Sequence, residues 1–264
     1  MRRGIRLPAT LGAATLAGLL GAGLGAGDRQ QQATAAADIA ALPASPAPAL
    51  KIGRPERLSS GRYLSRWTIV RRPTVAHAEP NAGSAIVAEL ATSTPEGTPS
   101  ALSVLRATTG TDGRLWVLVR LPVLPNGSVG WVLRRSLGPY RTVDTQLVIE
   151  RKRLRATLYR DGGAVFSAPV GIGTNTWPTP AGEFIVRSRL TRYASAFYGP
   201  VAFGTTARSA VLTDWPDGGF IGIHGTDEPQ LLPGRVSHGC IRLRNRDILR
   251  LAALMPIGTL VTVR

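Results

Sequence analysis

The 264-residue chain is 44% apolar, with a mean hydropathy near zero, which excludes wholesale disorder and leaves room for one or two domains with a core. Lys and Arg number 32 against 16 Asp and Glu, a net charge of +16 carried almost wholly by arginine, since Lys51 and Lys152 are the only lysines. The cations sit in both halves without an aromatic-interleaved stripe, so no nucleic-acid partner is expected, and the charge suits work near anionic polymers or an anionic membrane surface instead. Along the chain, Met1 to Arg6 is basic and residues 7–27 form an uncharged run of Ala, Leu and Gly. Residues 1–27 read as a signal peptide or an uncleaved N-terminal membrane anchor, to be set apart from the fold. Residues 28–64, rich in Ala, Pro, Gln and Ser with Pro43, Pro46 and Pro48 close together, read as a disordered linker.

From Trp67 onward, short β-prone runs alternate with turn residues, at 67–70, 85–90, 102–107, 115–121 and 130–133. Five strands in so short a segment point to a small barrel. Trp116-Val117-Leu118-Val119, followed by Pro125-Asn126-Gly127-Ser128 and Gly130-Trp131-Val132, resembles the end of a bacterial SH3-like domain, with Asn126-Gly127 expected as the hairpin turn. The SH3-like domain is placed at 65–140. Trp116 and Trp131 are expected in its core, and His77 is given no role.

Residues 143–264 form the second unit. Runs at 145–149 and 154–159 read as paired strands, and Asp161-Gly162-Gly163 turns into a third at 164–170. Gly171-Ile172-Gly173 opens a loop carrying Pro178-Thr179-Pro180-Ala181-Gly182, where proline and glycine fix the backbone. Residues 192–209, with Tyr193, Phe197, Tyr198 and Phe203 among small residues, read as a long irregular loop of the kind that forms a lid. Asn245 is expected to cap a helix over 246–255, with Leu249, Ala252 and Ala253 buried and Pro256 and Gly258 ending it. A closing strand is expected over 259–263.

The chemistry gathers at Ser237-His238-Gly239-Cys240, which contains the only cysteine, and at His224 in Gly222-Ile223-His224-Gly225-Thr226. A lone thiol in a chain marked for export suggests a chemical role rather than a disulfide. A thiol attacks as thiolate, so it needs an imidazole to take its proton, and His224 and His238 are the local candidates. His224 follows the apolar run Phe220-Ile221-Gly222-Ile223, a short strand that can hold the ring still. A sharp bend at Gly239 would aim the backbone N–H groups of Gly239 and Cys240 at one carbonyl oxygen, as an oxyanion hole.

Together these residues, from His224-Gly225 to Ser237-His238-Gly239-Cys240-Ile241-Arg242, resemble the signature of the L,D-transpeptidase (YkuD-type) catalytic domain. The resemblance implies a β-rich catalytic domain with few helices, so the fold class expected for the whole chain is mainly β. It implies that Cys240 is the nucleophile and His224 the general base, its ring oriented by the Gly225 carbonyl, so that the side chain at 225 matters little. Ser237, His238 and Gly239 would shape the site, Ser237 and Arg242 would contact substrate, and Tyr198 would lie in the segment covering the groove. The implied partners are peptidoglycan stem peptides, joined through a cysteine thioester without a cofactor. Attack by water instead of an amine would make the same site a carboxypeptidase. Two rivals are a zinc site built from His224, His238 and Cys240, and a wall-binding protein without catalysis. Every residue assigned to chemistry lies beyond Val143, so the second unit is expected to transfer acyl groups on soluble fragments without the first.

Overall fold

The computed structural model describes residues 55–59, 64–191, 196–212 and 219–264. The segment expected as a signal or anchor lies outside them, as does most of the expected linker. No helix among the described residues is long and apolar enough to cross a membrane. Two antiparallel-rich sheets carry nearly all the backbone pairing.

The first sheet contains β1 (Glu56–Arg57), β2 (Ser65–Ile69), β3 (Thr74–His77), β4 (Ile86–Leu90), β5 (Ala101–Thr109), β6 (Leu115–Arg120), β7 (Val129–Leu133) and β8 (Arg141–Val143). Its order is β4-β3-β7-β6-β5-β2-β8, with β1 paired to β5. Leu102, Val104, Val117, Val119 and Val132 point to one side and form its core, as period-2 alternation requires. Trp116 is fully buried, as expected, while Trp131 is half-buried. His77 is a core histidine, its Nδ1 3.0 Å from the Ser84 carbonyl and its ring edge-on to Trp116. Two expectations are corrected here. The expected linker contributes β1, and the Leu58 N–H donates to the Leu105 carbonyl, so order begins before residue 65. Asn126-Gly127 does sit at the centre of a turn in the β6–β7 hairpin, closed by the Ser128 N–H on the Pro125 carbonyl at 3.2 Å, but the link between the strands is longer than that turn, running over 121–128 and closed by the Leu121 N–H on the Ser128 carbonyl. The Asn126 side chain is thereby freed to reach the second sheet.

The second sheet contains β9 (Thr145–Glu150), β10 (Arg155–Arg160), β11 (Gly163–Pro169), β12 (Gly171–Gly173), β13 (Gly182–Leu190), β14 (Ala202–Arg208), β15 (Phe220–His224), β16 (Gly234–Ser237), β17 (Ile241–Arg242) and β18 (Leu260–Val263). Its order is β11-β10-β9-β18-β13-β14-β15-β17-β12-β16. Asp161 and Gly162 both adopt positive φ, 48° and 83°, and close the β10–β11 hairpin with the turn that Asp-Gly favours. The loop expected over 192–209 contains a strand: 202–208 is β14, an interior strand between β13 and β15, and Phe203 is wholly buried in the core. Of that segment, 192–195 with Tyr193 lie outside the described residues, and the short turn Ala196–Tyr198 keeps the irregular character expected there.

Helix α1 (Asn245–Leu254) crosses the sheet after β17. Asn245 does not cap it: the cap position is Arg244, which makes no side-chain capping bond. Ile248, Leu251 and Ala252 are its buried apolar residues, whereas Leu249 and Ala253 are exposed, so the buried stripe is rotated from the one expected.

The two sheets share an interface within one compact unit. Trp67 of β2 and Ala101 of β5 pack with Ile185 of β13, and Ile69, Val143 and Ile257 complete the cluster. Arg120 pairs with Glu183 at 3.0 Å, and Glu96 pairs with the buried Arg187. Removing everything before residue 144 would expose Ile185 and take from Arg187 both its carboxylate partner and part of its cover.

Gly258, at φ +90°, lies where a Cβ would run into the Trp67 indole, whereas Gly127, at φ +93°, has open space around it. Gly127→Ala should therefore cost only the backbone strain of about 1 kcal/mol, and Gly258→Ala several-fold more. Denaturant unfolding of the two variants checks this; equal losses would show that the Trp67 contact contributes nothing.

Candidate active site

The parallel pair of β15 and β17 builds the site, with Ile223 opposite Ile241 and His224 opposite Arg242. Between the end of β16 at Ser237 and the start of β17 at Ile241, only His238, Gly239 and Cys240 make the turn. Gly239 takes φ +115°, and a Cβ there would lie 2.9 Å from the Ile221 Cδ1, so only glycine fits. Two hydroxyls lock this turn. The buried Ser237 Oγ accepts from the Gly239 N–H at 3.1 Å and donates to the Cys240 carbonyl at 2.6 Å. The buried Thr179 Oγ1 donates to the Gly239 carbonyl at 2.7 Å and accepts from the Gly173 N–H at 2.8 Å. The proline-rich segment around Thr179 is therefore a brace on the cysteine loop.

Cys240 and His224 line one cleft together with Phe197, Tyr198, Phe220 and Arg242. Gly222 lies between them: a Cβ there would be 3.7 Å from both the Cys240 Sγ and the His224 Cδ2. The Gly222 N–H donates to the Cys240 Sγ at 3.3 Å. His224 is 1% exposed, and its Nδ1 lies 2.7 Å from the Gly225 carbonyl. A carbonyl can only accept, so Nδ1 carries the proton and Nε2 presents a lone pair. That Nε2 has no hydrogen-bond partner among the described residues. Tyr198 meets the imidazole edge-to-face at 4.9 Å between centroids.

Burial sets the charge state of both groups. It lowers the His224 imidazole to about 4; the Gly225 carbonyl opposes the shift, the Arg242 charge adds to it, and Asp227 opposes it. Burial likewise pushes the Cys240 thiol above its ordinary range, opposed by the Gly222 N–H and by Arg242. The resting pair is therefore a neutral thiol and a neutral imidazole, not the thiolate and imidazolium that a low-pKa cysteine would imply.

Several sequence expectations change at this resolution of detail. The Gly239 N–H is spent on Ser237 and is not available as an oxyanion donor, which leaves the Cys240 N–H, unpartnered among the described residues, to fill that place. Ser237 uses its hydroxyl both as donor and acceptor inside the turn, so it shapes the loop and has no proton to offer a substrate. Arg242 is buried, paired with Glu228 at 3.1 Å and set 4.4 Å from the Phe197 ring centroid, and its buried Nε has no hydrogen-bond partner among the described residues. His238 is exposed and its ring rests on Trp177, at 4.4 Å between centroids. With Nδ1 of His224 committed to Gly225 and His238 turned onto Trp177, the three residues of the rival zinc reading do not converge, and no group of three or more His, Cys, Asp or Glu side chains among the described residues is placed to hold a metal.

The side chain at 225 proves to matter, because a Cβ there would collide with the Asn245 Oδ1 and lie 3.0 Å from the Gly199 Cα. Asn245 is itself a site residue that sequence reasoning missed. Its Oδ1 accepts from the Thr226 N–H at 2.9 Å, pinning the turn that carries the Gly225 carbonyl. Thr179 was visible only as part of a rigid loop, and Gly222 only as part of a strand.

Comparison with known proteins identifies a family for this chain. Residues 144–263 match the family model of the L,D-transpeptidase catalytic domain, YkuD. The putative L,D-transpeptidase YkuD of Bacillus licheniformis is 32% identical over 122 residues, 46% of this chain and 67% of that protein. The probable L,D-transpeptidase YbiS of Escherichia coli K12 is 31% identical over 156 residues, 52% of this chain and 50% of that protein. Among solved structures, the catalytic domain of an E. faecium L,D-transpeptidase is 25% identical and superposes with a TM-score of 0.36, covering 46% of this chain and 97% of that one. With the catalytic-domain match spanning β9 to β18 and a relative matched over two thirds of its length, the chain belongs to the L,D-transpeptidase (YkuD) family.

Proposed function

We propose that this protein is a peptidoglycan L,D-transpeptidase that joins stem peptides through a thioester on Cys240. One observation carries the assignment of roles: Cys240 and His224 line one cleft on either side of Gly222, and the His224 Nε2 has no hydrogen-bond partner among the described residues. Because both groups rest neutral, the proton passes from sulfur to the His224 Nε2 as sulfur attacks the donor carbonyl. The Gly222 N–H bond to Sγ supports the negative charge that develops there. The carbonyl oxygen, now an oxyanion, is met by the Cys240 N–H. On collapse of the tetrahedral adduct, the C–N bond breaks and the terminal D-amino acid leaves with the proton held by His224. An acceptor amine then attacks the thioester and gives its proton to the same Nε2; the C–S bond breaks as the cross-link forms, and that proton passes to the departing sulfur, restoring the neutral pair.

The same reading extends to the rest of the chain. The order β4-β3-β7-β6-β5-β2-β8 and its single apolar core support an SH3-like module at the first sheet. The basic start and uncharged run of residues 1–27 support export, with the N-terminus serving as signal or membrane tether. A positive charge excess suits work among anionic wall polymers.

A carbapenem should acylate the wild type once, and Cys240→Ala should form no adduct at all. His224→Ala should slow acylation by roughly 10²–10⁴-fold, the usual worth of a positioned base, and His238→Ala should cost far less because its ring, though it lines the cleft, lies against Trp177. Intact-mass time courses decide this, and an adduct on Cys240→Ala would overturn the assignment.

The pH dependence follows from the directions of the two shifts. His224 acts as base only when neutral, and burial holds it neutral down to about 4, so the acid limb of kcat/KM for a stem-peptide donor should lie well below the ~6.5 of an ordinary histidine. Alkylation of Cys240 by iodoacetamide should rise with pH through a midpoint above the ~8.5 of a free thiol. An alkylation midpoint near 6 would show a resting ion pair instead.

A further inference from the structure

We infer that two loops of the first sheet hold one wall of the acyl-donor cleft, which makes Asn126 and Glu96 positioning residues for the transferase reaction; this rests on the function proposed above. The wall is formed by Ser209, Leu212, Gly219 and Phe220, where β14 ends and β15 begins. The neck of this excursion is closed by the Ser209 N–H on the Gly219 carbonyl at 2.8 Å, and the Ser209 Oγ accepts from the Leu212 N–H at 3.0 Å. The β14–β15 ladder is irregular between Gly204 and Arg208, so its own pairing supports this end poorly.

The first sheet supplies the missing support at two points. Asn126 donates from Nδ2 to the Arg208 carbonyl at 2.7 Å and accepts at Oδ1 from the Arg208 N–H at 2.9 Å. One side chain thus serves both backbone groups of the residue next to Ser209, as a neighbouring strand would. Glu96 lies in a turn braced by the Thr94 N–H on the Thr98 carbonyl and by the bond between the two threonine hydroxyls. It pairs with Arg187, which sits at the bulge of β13 with its side chain 3% exposed. The Arg187 guanidinium lies 3.8 Å from the Phe220 ring centroid, and that of Arg208 lies 4.9 Å away. Phe220 therefore has two guanidiniums against its ring, that of Arg187 paired with Glu96 and that of Arg208 on a residue whose backbone Asn126 holds, and it heads the strand that carries Gly222 and His224.

The bonds that set the thiol and imidazole come from the second sheet alone, through Gly225, Ser237, Thr179 and Asn245. Loosening the wall should thus weaken capture of an extended donor without changing the intrinsic reactivity of Cys240. The test uses the full chain with Asn126→Ala and Glu96→Gln, and three readouts: KM and kcat for a disaccharide-tetrapeptide donor, iodoacetamide alkylation of Cys240, and thermal unfolding. KM is expected to rise about tenfold in each variant, as a small misplacement of a binding wall commonly causes, while kcat and the alkylation rate stay within about twofold. Should Glu96→Gln fail to fold because Arg187 is left buried, Asn126→Ala decides the matter alone, since its loop reaches the surface. An unchanged KM in a folded Asn126→Ala, with the wild type active, overturns the inference; so does alkylation falling in parallel with the donor rate, which would indicate general collapse of the site. A wild type that is alkylated normally but forms no thioester with the donor would overturn the proposed function itself, and the positioning roles with it.

Discussion

The hydrogen bond from the His224 Nδ1–H to the Gly225 carbonyl is the constraint on which the rest of the site depends. It fixes the tautomer, and so leaves the buried Nε2 with a free lone pair in a ring that is sealed from water in the resting protein. Neighbouring residues on one strand cannot make this bond in a regular extended conformation; the chain must turn at 225. That turn is possible because Gly225 and Gly199 approach closely beneath the Asn245 Oδ1, with room for neither Cβ. Asn245 in turn holds the Thr226 N–H. A helix start, a glycine pair and a strand end thus converge to aim one lone pair.

Keeping both reacting groups neutral at rest has a physical logic. A buried thiolate and imidazolium would each lose hydration, and Arg242 close by would disfavour the imidazolium further. The neutral pair avoids that cost, and the charge separates only as the donor carbonyl arrives. The Gly222 N–H is already aligned on sulfur, so part of the stabilisation needed for the developing charge is preorganised.

Much of the fold was legible in the sequence because its strongest signals are local. The β10–β11 hairpin follows from Asp161-Gly162, and β6 follows from the alternation around Trp116. The error at 192–209 has a physical cause. Gly204 and its small neighbours look irregular, yet β14 is held on both sides by β13 and β15, partners that no local pattern announces. The helix stripe was misplaced because Asn245 looked like a cap and its side chain serves the Thr226 turn instead. At the site, Cys240 and His224 were legible through the spacing of rare residue types. The braces were not: a serine or threonine that ties a carbonyl far away in sequence, as Thr179 ties Gly239, looks like any other hydroxyl.

The arginine excess also acquires a structural meaning. Arg187 and Arg242 are buried at 4% exposure each, both paired to a glutamate and both set against a phenylalanine ring. Arg151 donates to the Thr179 carbonyl at 3.0 Å, Arg160 to that of Leu254 at 2.9 Å, and Arg244 to that of Leu232 at 3.1 Å. A planar guanidinium can hold a carbonyl or carboxylate while its face lies on an aromatic ring, which a lysine ammonium on a flexible stem does less well. The Arg151 bond bears on the chemistry, because Thr179 is the brace of the cysteine turn. Part of the basic composition that first suggested an anionic partner is therefore employed inside the protein, in fixing the loops around Cys240.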